Sequence, residues 1–197
     1  MAKTALLFAG QGAQVVGMGR DLAESHSTAK ALFAQADEAL GYGLSGICFF
    51  GPEEELVRTE HAQPAIYLVG WVALQLLREQ APSLAFDATA GLSLGEFTAL
   101  AAADALGFED GLRVVRRRGK VMQHACEAST GGMAAIVGLD EEAVRDVCGQ
   151  AGVSLANLNC PGQIVISGDA DKMEAACAAA KAAGAKRAIP LPVAGAY

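Results

Sequence analysis

TAGLSLGEFTALAAA, residues 89–103, places a serine inside the pattern G-x-S-x-G, between a short apolar run and an Ala- and Leu-rich segment. This order predicts a strand, a sharp turn and a helix, with Ser93 on the turn. Gly91 and Gly95 suit such a turn, since it leaves little room for a Cβ and requires unusual backbone angles. The stretch therefore predicts a nucleophile elbow in which the backbone N–H of Leu94, at a helix N-terminus, is free to donate to an oxyanion. So short a pattern also arises by chance, so its context must decide.

The composition is that of a globular protein large enough for one domain or two small ones. The chain has 197 residues, of which 52% are hydrophobic, and a formal net charge of −7. That charge argues against general nucleic-acid binding, although it allows a local basic patch. No apolar run has the length of a membrane span, and the N-terminus lacks the features of a signal peptide. We expect a cytoplasmic protein with no membrane or nucleic-acid partner.

The cysteines predict neither a metal site nor a disulfide framework. They are far apart in sequence, with no C-x-x-C pair and no neighbouring histidine cluster. We expect reduced and mostly buried thiols, and neither a metal nor a cofactor. The five positions are Cys48, Cys126, Cys148, Cys160 and Cys177.

The first two thirds of the chain predict alternating strands and helices. Residues 3–9 read as a buried strand, and the loop Gly10-Gln11-Gly12 follows it. This loop matches neither phosphate-binding pattern, but it presents N–H groups and an amide where open α/β sheets place their sites. Further on, we predict a helix over 27–40 ending at Gly41, an irregular segment over 42–56, a helix over 64–77 with Pro64 as its first residue, and a strand over 84–90. Strand, helix, strand, elbow and helix together indicate an α/β fold.

A predicted helix over 109–127 carries an arginine on its apolar side. Arg118 falls in the middle of the apolar arc, between Val114 and Met122 on a helical wheel. A guanidinium there is costly unless it meets an anion or several acceptors. The sequence leaves three interpretations open: a buried ion pair with Asp or Glu, an arginine extended to the edge of the arc, or a binding site for a substrate carboxylate. The arc consists of Leu112, Val114, Val115, Gly119, Val121, Met122 and Cys126.

The last third predicts a second module. We place a boundary near residues 128–131, with the large subdomain over 1–130, a small one over 131–193 and a return segment over 194–197. The small part predicts strands over 133–139, 153–159, 163–167 and 187–193, with a helix capped by Asp140 and another over 171–183. The order βαββαβ is that of a ferredoxin-like fold, which says nothing about function.

Seven stretches in this chain resemble the malonyl-CoA:acyl carrier protein transacylases and the related acyltransferase domains of polyketide synthases. They run through the chain in the family's order. They are 8–14 FAGQGAQ, 63–65 QPA, 91–96 GLSLGE, 118–123 RGKVMQ, 132–136 GMAAI, 157–163 NLNCPGQ and 186–191 KRAIPL. The resemblance implies an α/β-hydrolase-like parallel-sheet subdomain with a ferredoxin-like small subdomain.

The resemblance also assigns roles to residues. It implies that Ser93 carries a malonyl ester, and that the backbone N–H groups of Leu94 and Gln11 form the oxyanion hole. Arg118 would hold the malonyl carboxylate, and Gln63 and Gln163 match positions near the pocket. The implied substrates are malonyl-CoA and the phosphopantetheine thiol of acyl carrier protein, in the supply of fatty acid synthesis.

Two departures from the family pattern affect the expected activity. Leu92 stands where the family usually has a histidine before the serine, and the sequence ends at Tyr197, where the catalytic histidine is expected to follow. A serine needs an adjacent base. His26, His61 and His124 read as surface or loop residues, so we expect none of them to be the base for Ser93.

Two alternatives remain open from sequence. The elbow alone does not distinguish transfer to a thiol from transfer to water, so a serine hydrolase or thioesterase is the second interpretation. The third is a non-catalytic fragment that binds carrier protein, with Lys186 and Arg187 contributing a basic surface for an acidic partner.

Overall fold

The computed structural model describes residues 3–128, 130–191, 193 and 195–197. The chain forms two compact units, residues 1–123 and 124–197. The subdomain limits predicted from sequence, 1–130, 131–193 and 194–197, stay predictions. Three residues near those limits lie outside the described residues: Ser129, Pro192 and Ala194.

The first unit combines a small parallel sheet with a group of helices, the last of which, α7, continues into the second unit. Its elements are β1 (Ala5–Phe8), α1 (Arg20–Ser25), α2 (Ser27–Leu40), α3 (Leu44–Phe50), α4 (Glu53–Leu56), α5 (Thr59–Gln80), β2 (Ala88–Gly91), α6 (Gly95–Ala102) and α7 (Phe108–Ala128). Strands β1 and β2 pair in parallel, with Ala5 opposite Ala88 and Phe8 opposite Gly91. A parallel pair requires a long crossover, which α1–α5 supply. The predicted α/β order is confirmed.

Helices α5 and α7 approach closely near the start of α5. A Cβ on Gly119 of α7 would lie 2.5 Å from the Thr59 carbonyl oxygen and 2.8 Å from the Glu60 Cα. Only glycine permits this separation, because no real Cβ contact is so short. The approach places Gly119 of α7, the residue next to Arg118, against the first turn of α5.

Two predictions for the segment before α5 are wrong. Helix α5 begins at Thr59, so Pro64 lies in its second turn and leaves the Glu60 carbonyl without a helical donor. The segment predicted as irregular contains α3 and α4. Helix α3 is too short to show a period, and its start depends on a distant residue: the backbone N–H and the hydroxyl of Ser45 both donate to Asp37.

The apolar arc predicted for α7 is too wide. Val114 and Val121 are 43% and 52% exposed, whereas Leu112, Val115 and Gly119 are buried. The buried residues recur at spacings of three and four along the helix, the pattern of one helix face.

The second unit has the ferredoxin-like architecture that the sequence predicts. Its elements are β3 (Gly131–Val137), α8 (Glu141–Ala151), β4 (Ser154–Cys160), β5 (Gln163–Asp169), α9 (Ala170–Ala182) and β6 (Arg187–Pro190). The sheet order is β4-β5-β3-β6, and every pairing is antiparallel. One face of the sheet packs on α8 and α9 through a core that includes Ile136, Val144, Ile166 and Ala176. The order βαββαβ is confirmed.

Asp140 is the N-cap of α8, as predicted, and its Oδ1 accepts from the Ala143 backbone N–H at 2.9 Å. Asp140→Ala removes this acceptor, and we expect the free energy of unfolding to fall by about 1 kcal/mol. Urea titration followed by circular dichroism measures the loss. Asp146→Ala, at an exposed position of the same helix, is the control and should leave the midpoint unchanged. Equal values for the two variants would contradict the capping role.

Candidate active site

Ser93 sits on a strained turn between β2 and α6. Its φ is 56°, in the left-handed region that a residue with a Cβ rarely adopts. The turn closes through the Gly95 N–H, which donates to the Leu92 carbonyl at 3.0 Å, and the Glu96 N–H, which donates to the Ser93 carbonyl at 3.3 Å. A strained serine between a strand and a helix N-terminus is the geometry of a nucleophile elbow.

The two glycines of the motif permit close backbone contacts. A Cβ on Gly91 would lie 2.1 Å from the Gly95 carbonyl carbon, and a Cβ on Gly95 would lie 2.3 Å from the Phe8 carbonyl oxygen. The elbow therefore packs directly on the carboxyl end of β1 as well as on itself. This packing places the loop after β1, which carries Gln11, beside the serine turn.

The two backbone N–H groups predicted for the oxyanion hole have no hydrogen-bond acceptor among the described residues. No described atom accepts from the N–H of Leu94 or from that of Gln11. The Leu94 side chain is fully buried in the core of the first unit, so only its backbone is available to the site. Free N–H groups at a helix N-terminus favour a negatively charged oxygen.

Arg118 reaches the serine directly. Its Nη2 donates to Ser93 Oγ at 2.9 Å, and its Nη1 donates to Gln63 Oε1 at 2.8 Å. Its guanidinium carbon lies 5.7 Å from the centroid of the Phe97 ring. Burial lowers the pKa of Arg118, and Glu96 offsets this in part. The side chain is half-buried.

The guanidinium has no carboxylate partner among the described residues, because no ion pair within 4.0 Å includes Arg118. The first interpretation of Arg118, a buried ion pair with Asp or Glu, is therefore wrong for the part of the chain that the structure describes. Two neutral acceptors use two of the five N–H donors that a guanidinium carries. A partly desolvated cation with free donors has the chemistry to bind an anion.

Gln63 holds Arg118 from a fully buried position in α5. Its Nε2 lies 3.2 Å from the Met122 Sδ and 3.5 Å from the Gln11 Oε1. These two groups accept hydrogen bonds, so the amide is oriented with its oxygen towards the guanidinium. Gln11 Nε2 in turn donates to Thr59 Oγ1 at 3.4 Å. The structure thus brings Gln11, Gln63, Ser93 and Arg118 into one hydrogen-bonded group.

Three residues that join this group were missed by sequence reasoning: Thr59, Phe97 and Met122. Thr59 is the first residue of α5 and Arg58 is its N-cap, with no side-chain cap bond, so the predicted start at Pro64 leaves Thr59 outside the helix. Phe97 lies four residues after the serine, where one turn of α6 returns it to the same side. The helical wheel places Met122 in the apolar arc, and nothing in its spacing indicates contact with an amide.

Other predicted site residues belong to the second unit. Gln163 is the first residue of β5 and is exposed, and its Oε1 lies 3.9 Å from the Cys160 Sγ. Lys186 and Arg187 are exposed at the start of β6, and neither forms an ion pair among the described residues.

No histidine contacts Ser93 among the described residues. The His61 Nδ1 lies 2.9 Å from the Glu55 carbonyl oxygen and 3.3 Å from its Oε2. His61 belongs to the first turn of α5 rather than to a loop, which corrects its prediction. His26 lies between α1 and α2, and His124 is exposed on α7.

Within the described part of the chain, no group of three or more His, Cys, Asp or Glu residues is placed to hold a metal, and no helix has the length and apolarity needed to cross a membrane.

The sequence profile of the Acyl transferase domain family matches residues 5–195. The chain belongs to this family. A relative named malonyl CoA-acyl carrier protein transacylase, from Bacillus subtilis (strain 168), is 49% identical. The alignment is 202 residues long and covers all of this chain and 63% of the relative. The Escherichia coli (strain K12) relative of the same name is 47% identical, over 98% of this chain and 63% of its own length. The chain thus spans somewhat less than two thirds of these curated relatives.

Solved structures of the family share the fold. An acyl carrier protein S-malonyltransferase from Vibrio cholerae O1 biovar eltor is 42% identical with a TM-score of 0.92, and the match covers 99% of this chain and 65% of that one. A malonyl-transacylase solved in complex with a type II PKS acyl-carrier protein is 41% identical with a TM-score of 0.91, over 99% of this chain and 64% of that one. The fold class of an α/β-hydrolase-like parallel sheet with a ferredoxin-like part is confirmed.

We expect Gly95→Ala to disrupt the elbow, because the new Cβ would meet the Phe8 carbonyl oxygen at 2.3 Å. The expected loss is about 1–3 kcal/mol in the free energy of unfolding, as for other overpacked sites. Denaturant titration measures it. The control is Gly46→Ala in α3, where a Cβ meets nothing within 4 Å and should leave stability equal or slightly higher. If both variants kept the parent's stability, the contact with β1 would not constrain the elbow.

Proposed function

We propose that the protein transfers a malonyl group from coenzyme A to the phosphopantetheine thiol of acyl carrier protein, through an ester on Ser93. The observation that carries the proposal is the half-buried Arg118 guanidinium, which lies 2.9 Å from the Ser93 Oγ and has no carboxylate partner among the described residues. A malonyl group carries a carboxylate one methylene away from its reacting carbonyl. One malonyl group can therefore place its carboxylate on Arg118 and its carbonyl carbon beside Ser93 Oγ.

In the first half of the proposed reaction, Ser93 Oγ attacks the thioester carbonyl of malonyl-CoA. The serine proton passes to a general base, the carbon–sulfur bond breaks, and the base gives the proton to the departing sulfur, so coenzyme A leaves as the thiol. The N–H groups of Leu94 and Gln11 would stabilise the tetrahedral oxyanion. In the second half, the carrier thiol gives its proton to the base and attacks the ester. A new carbon–sulfur bond forms, the bond between the acyl carbon and Oγ breaks, and the base returns the proton to Oγ.

The proposal needs a base for Ser93, a role that the family resemblance assigns to a histidine. Coenzyme A and phosphopantetheine enter as parts of the substrates, so the reaction requires neither a metal nor a cofactor of the protein's own. We place the activity in the cytoplasm, as a supply step of fatty acid synthesis. The names of the relatives, malonyl CoA-acyl carrier protein transacylase, support the choice of substrate and acceptor.

Selectivity between acyl groups tests the role of Arg118. Arg118→Ala removes the carboxylate partner, so we expect kcat/KM for malonyl-CoA to fall about 10- to 100-fold, as for other lost hydrogen bonds to a charged group. Transfer from acetyl-CoA, which has no carboxylate, should be retained or increase. Steady-state assays of the full-length protein measure both rates, with Arg117→Ala, exposed on the same helix, as the control. A variant that used malonyl-CoA as well as the parent would contradict the assigned role.

Hydrolysis is the competing reaction at such an elbow. Assays with and without carrier protein separate the two, since a transacylase releases free malonate slowly when the carrier thiol is available. If free malonate formed faster than malonyl-carrier at saturating carrier protein, the protein would be a thioesterase.

Carrier protein is proposed to contact the exposed Lys186 and Arg187. We expect the double charge reversal Lys186→Glu with Arg187→Glu to weaken carrier binding roughly three- to tenfold at low salt, the scale of two exposed charge pairs. Isothermal titration calorimetry measures the affinity. The control Arg145→Glu changes an exposed arginine of α8 that is already paired with Glu141. Unchanged affinity in the double variant would remove this surface from the proposal.

A further inference from the structure

The contact between Arg118 and Ser93 suggests a second role for the arginine. In this structure its Nη2 donates to the oxygen that would attack the substrate. We propose that this bond restrains the nucleophile, and that a carboxylate-bearing acyl group releases it by taking over the guanidinium. The inference rests on the proposed function and adds that Ser93 reacts poorly until an anion binds.

The restraint follows from what the hydroxyl gives to the bond. A guanidinium has no acceptor and cannot remove the serine proton, so Oγ is the acceptor here. An oxygen that accepts from a cation in a half-buried site has one lone pair engaged and its electron density drawn towards the cation. Since nucleophilicity depends on that density, an acyl group without a carboxylate meets a weakened nucleophile.

A carboxylate competes well for the same donors. Hydrogen bonds between a guanidinium and a carboxylate are charge-assisted and often paired, and they are roughly twice as strong as bonds to a neutral acceptor. Ser93 offers a neutral hydroxyl, and no carboxylate among the described residues lies within 4.0 Å of Arg118. A malonyl carboxylate therefore displaces the serine rather than an acidic side chain.

Gln63 is the positioning residue in this scheme. It accepts from Nη1 at 2.8 Å, the other arm of the same guanidinium. Its amide is fixed by Met122 and Gln11 on the far side, and the side chain is fully buried. The Phe97 ring lies against one face of the guanidinium and restricts its movement on that side. Nη1 keeps its hydrogen bond to Gln63, so Nη2 can exchange the Ser93 hydroxyl for a carboxylate while the guanidinium stays in position.

The opposite effect of the same contact is also chemically reasonable, which makes the proposal testable. A cation 2.9 Å from Oγ would stabilise a serine alkoxide and so increase reactivity. Under the proposal, removing the arginine accelerates Ser93 towards a neutral reagent. Under the alkoxide scheme, removing it slows that reaction.

The experiment uses diisopropyl fluorophosphate, a neutral reagent that forms an Oγ–phosphorus bond and releases fluoride. Intact-protein mass spectrometry follows its reaction with the full-length protein. We expect Arg118→Met to be modified about two- to tenfold faster than the parent, the range of one lost hydrogen bond. Arg117→Met should react like the parent, and Ser93→Ala should not react. A rate for Arg118→Met equal to or below that of the parent overturns the proposal.

A second measurement applies if Arg118→Met does not fold or if no protein is modified. Crystals of the full-length parent grown with malonate should show the carboxylate on Arg118. The distance from Nη2 to Ser93 Oγ should exceed about 3.5 Å, and the Gln63 bond should be kept. Retention of the serine bond with malonate present overturns the proposal, as does malonate bound elsewhere. If a malonyl ester forms on Ser93 but Arg118→Met is labelled no faster than the parent, only the proposed restraint is contradicted. If Arg118→Met is labelled faster but no malonyl ester forms, only the proposed transfer reaction is contradicted.

Discussion

The close backbone contact between the elbow and the end of β1 is the constraint on which the site depends. Gly95 approaches the Phe8 carbonyl so closely that a Cβ would lie 2.3 Å from it. With β1 and β2 paired in parallel through Phe8 and Gly91, this contact fixes the serine turn against the loop that carries Gln11. The positive φ of Ser93 is maintained by this surrounding structure, because an isolated turn would relax it.

A second close approach supplies the other half of the site. Gly119 lets α7 lie against the first turn of α5, and Gln63 and Arg118 then meet across the two helices at 2.8 Å. The arginine is thus held by an amide rather than by an acid. That choice matters electrostatically, since a carboxylate at Gln63 would neutralise the guanidinium, whereas an amide leaves its charge available for a ligand.

The sequence predicted the parts of this account that depend on local pattern. The elbow, the βαββαβ order and the unusual place of Arg118 each follow from a short motif or a helical period. The family resemblance indicates Gln11, Gln63 and Arg118 as neighbours of Ser93, but the hydrogen bonds that join them depend on which helices touch. Thr59 and Gln63 enter this hydrogen-bonded group through the approach of α5 to α7, which one glycine decides. The same long-range packing leaves Val114 and Val121 exposed on α7, where the wheel predicted burial. Gln163 remains a prediction, since it lies in the second unit.

The central claim is that Ser93 accepts a malonyl group because Arg118 recognises its carboxylate. The most direct test is intact-protein mass spectrometry of the full-length protein after brief incubation with malonyl-CoA, alongside acetyl-CoA. We predict one malonyl group per chain, its absence in Ser93→Ala, and little acetyl adduct on the parent. An adduct that persists in Ser93→Ala, or acetyl and malonyl adducts of equal yield on the parent, would contradict it.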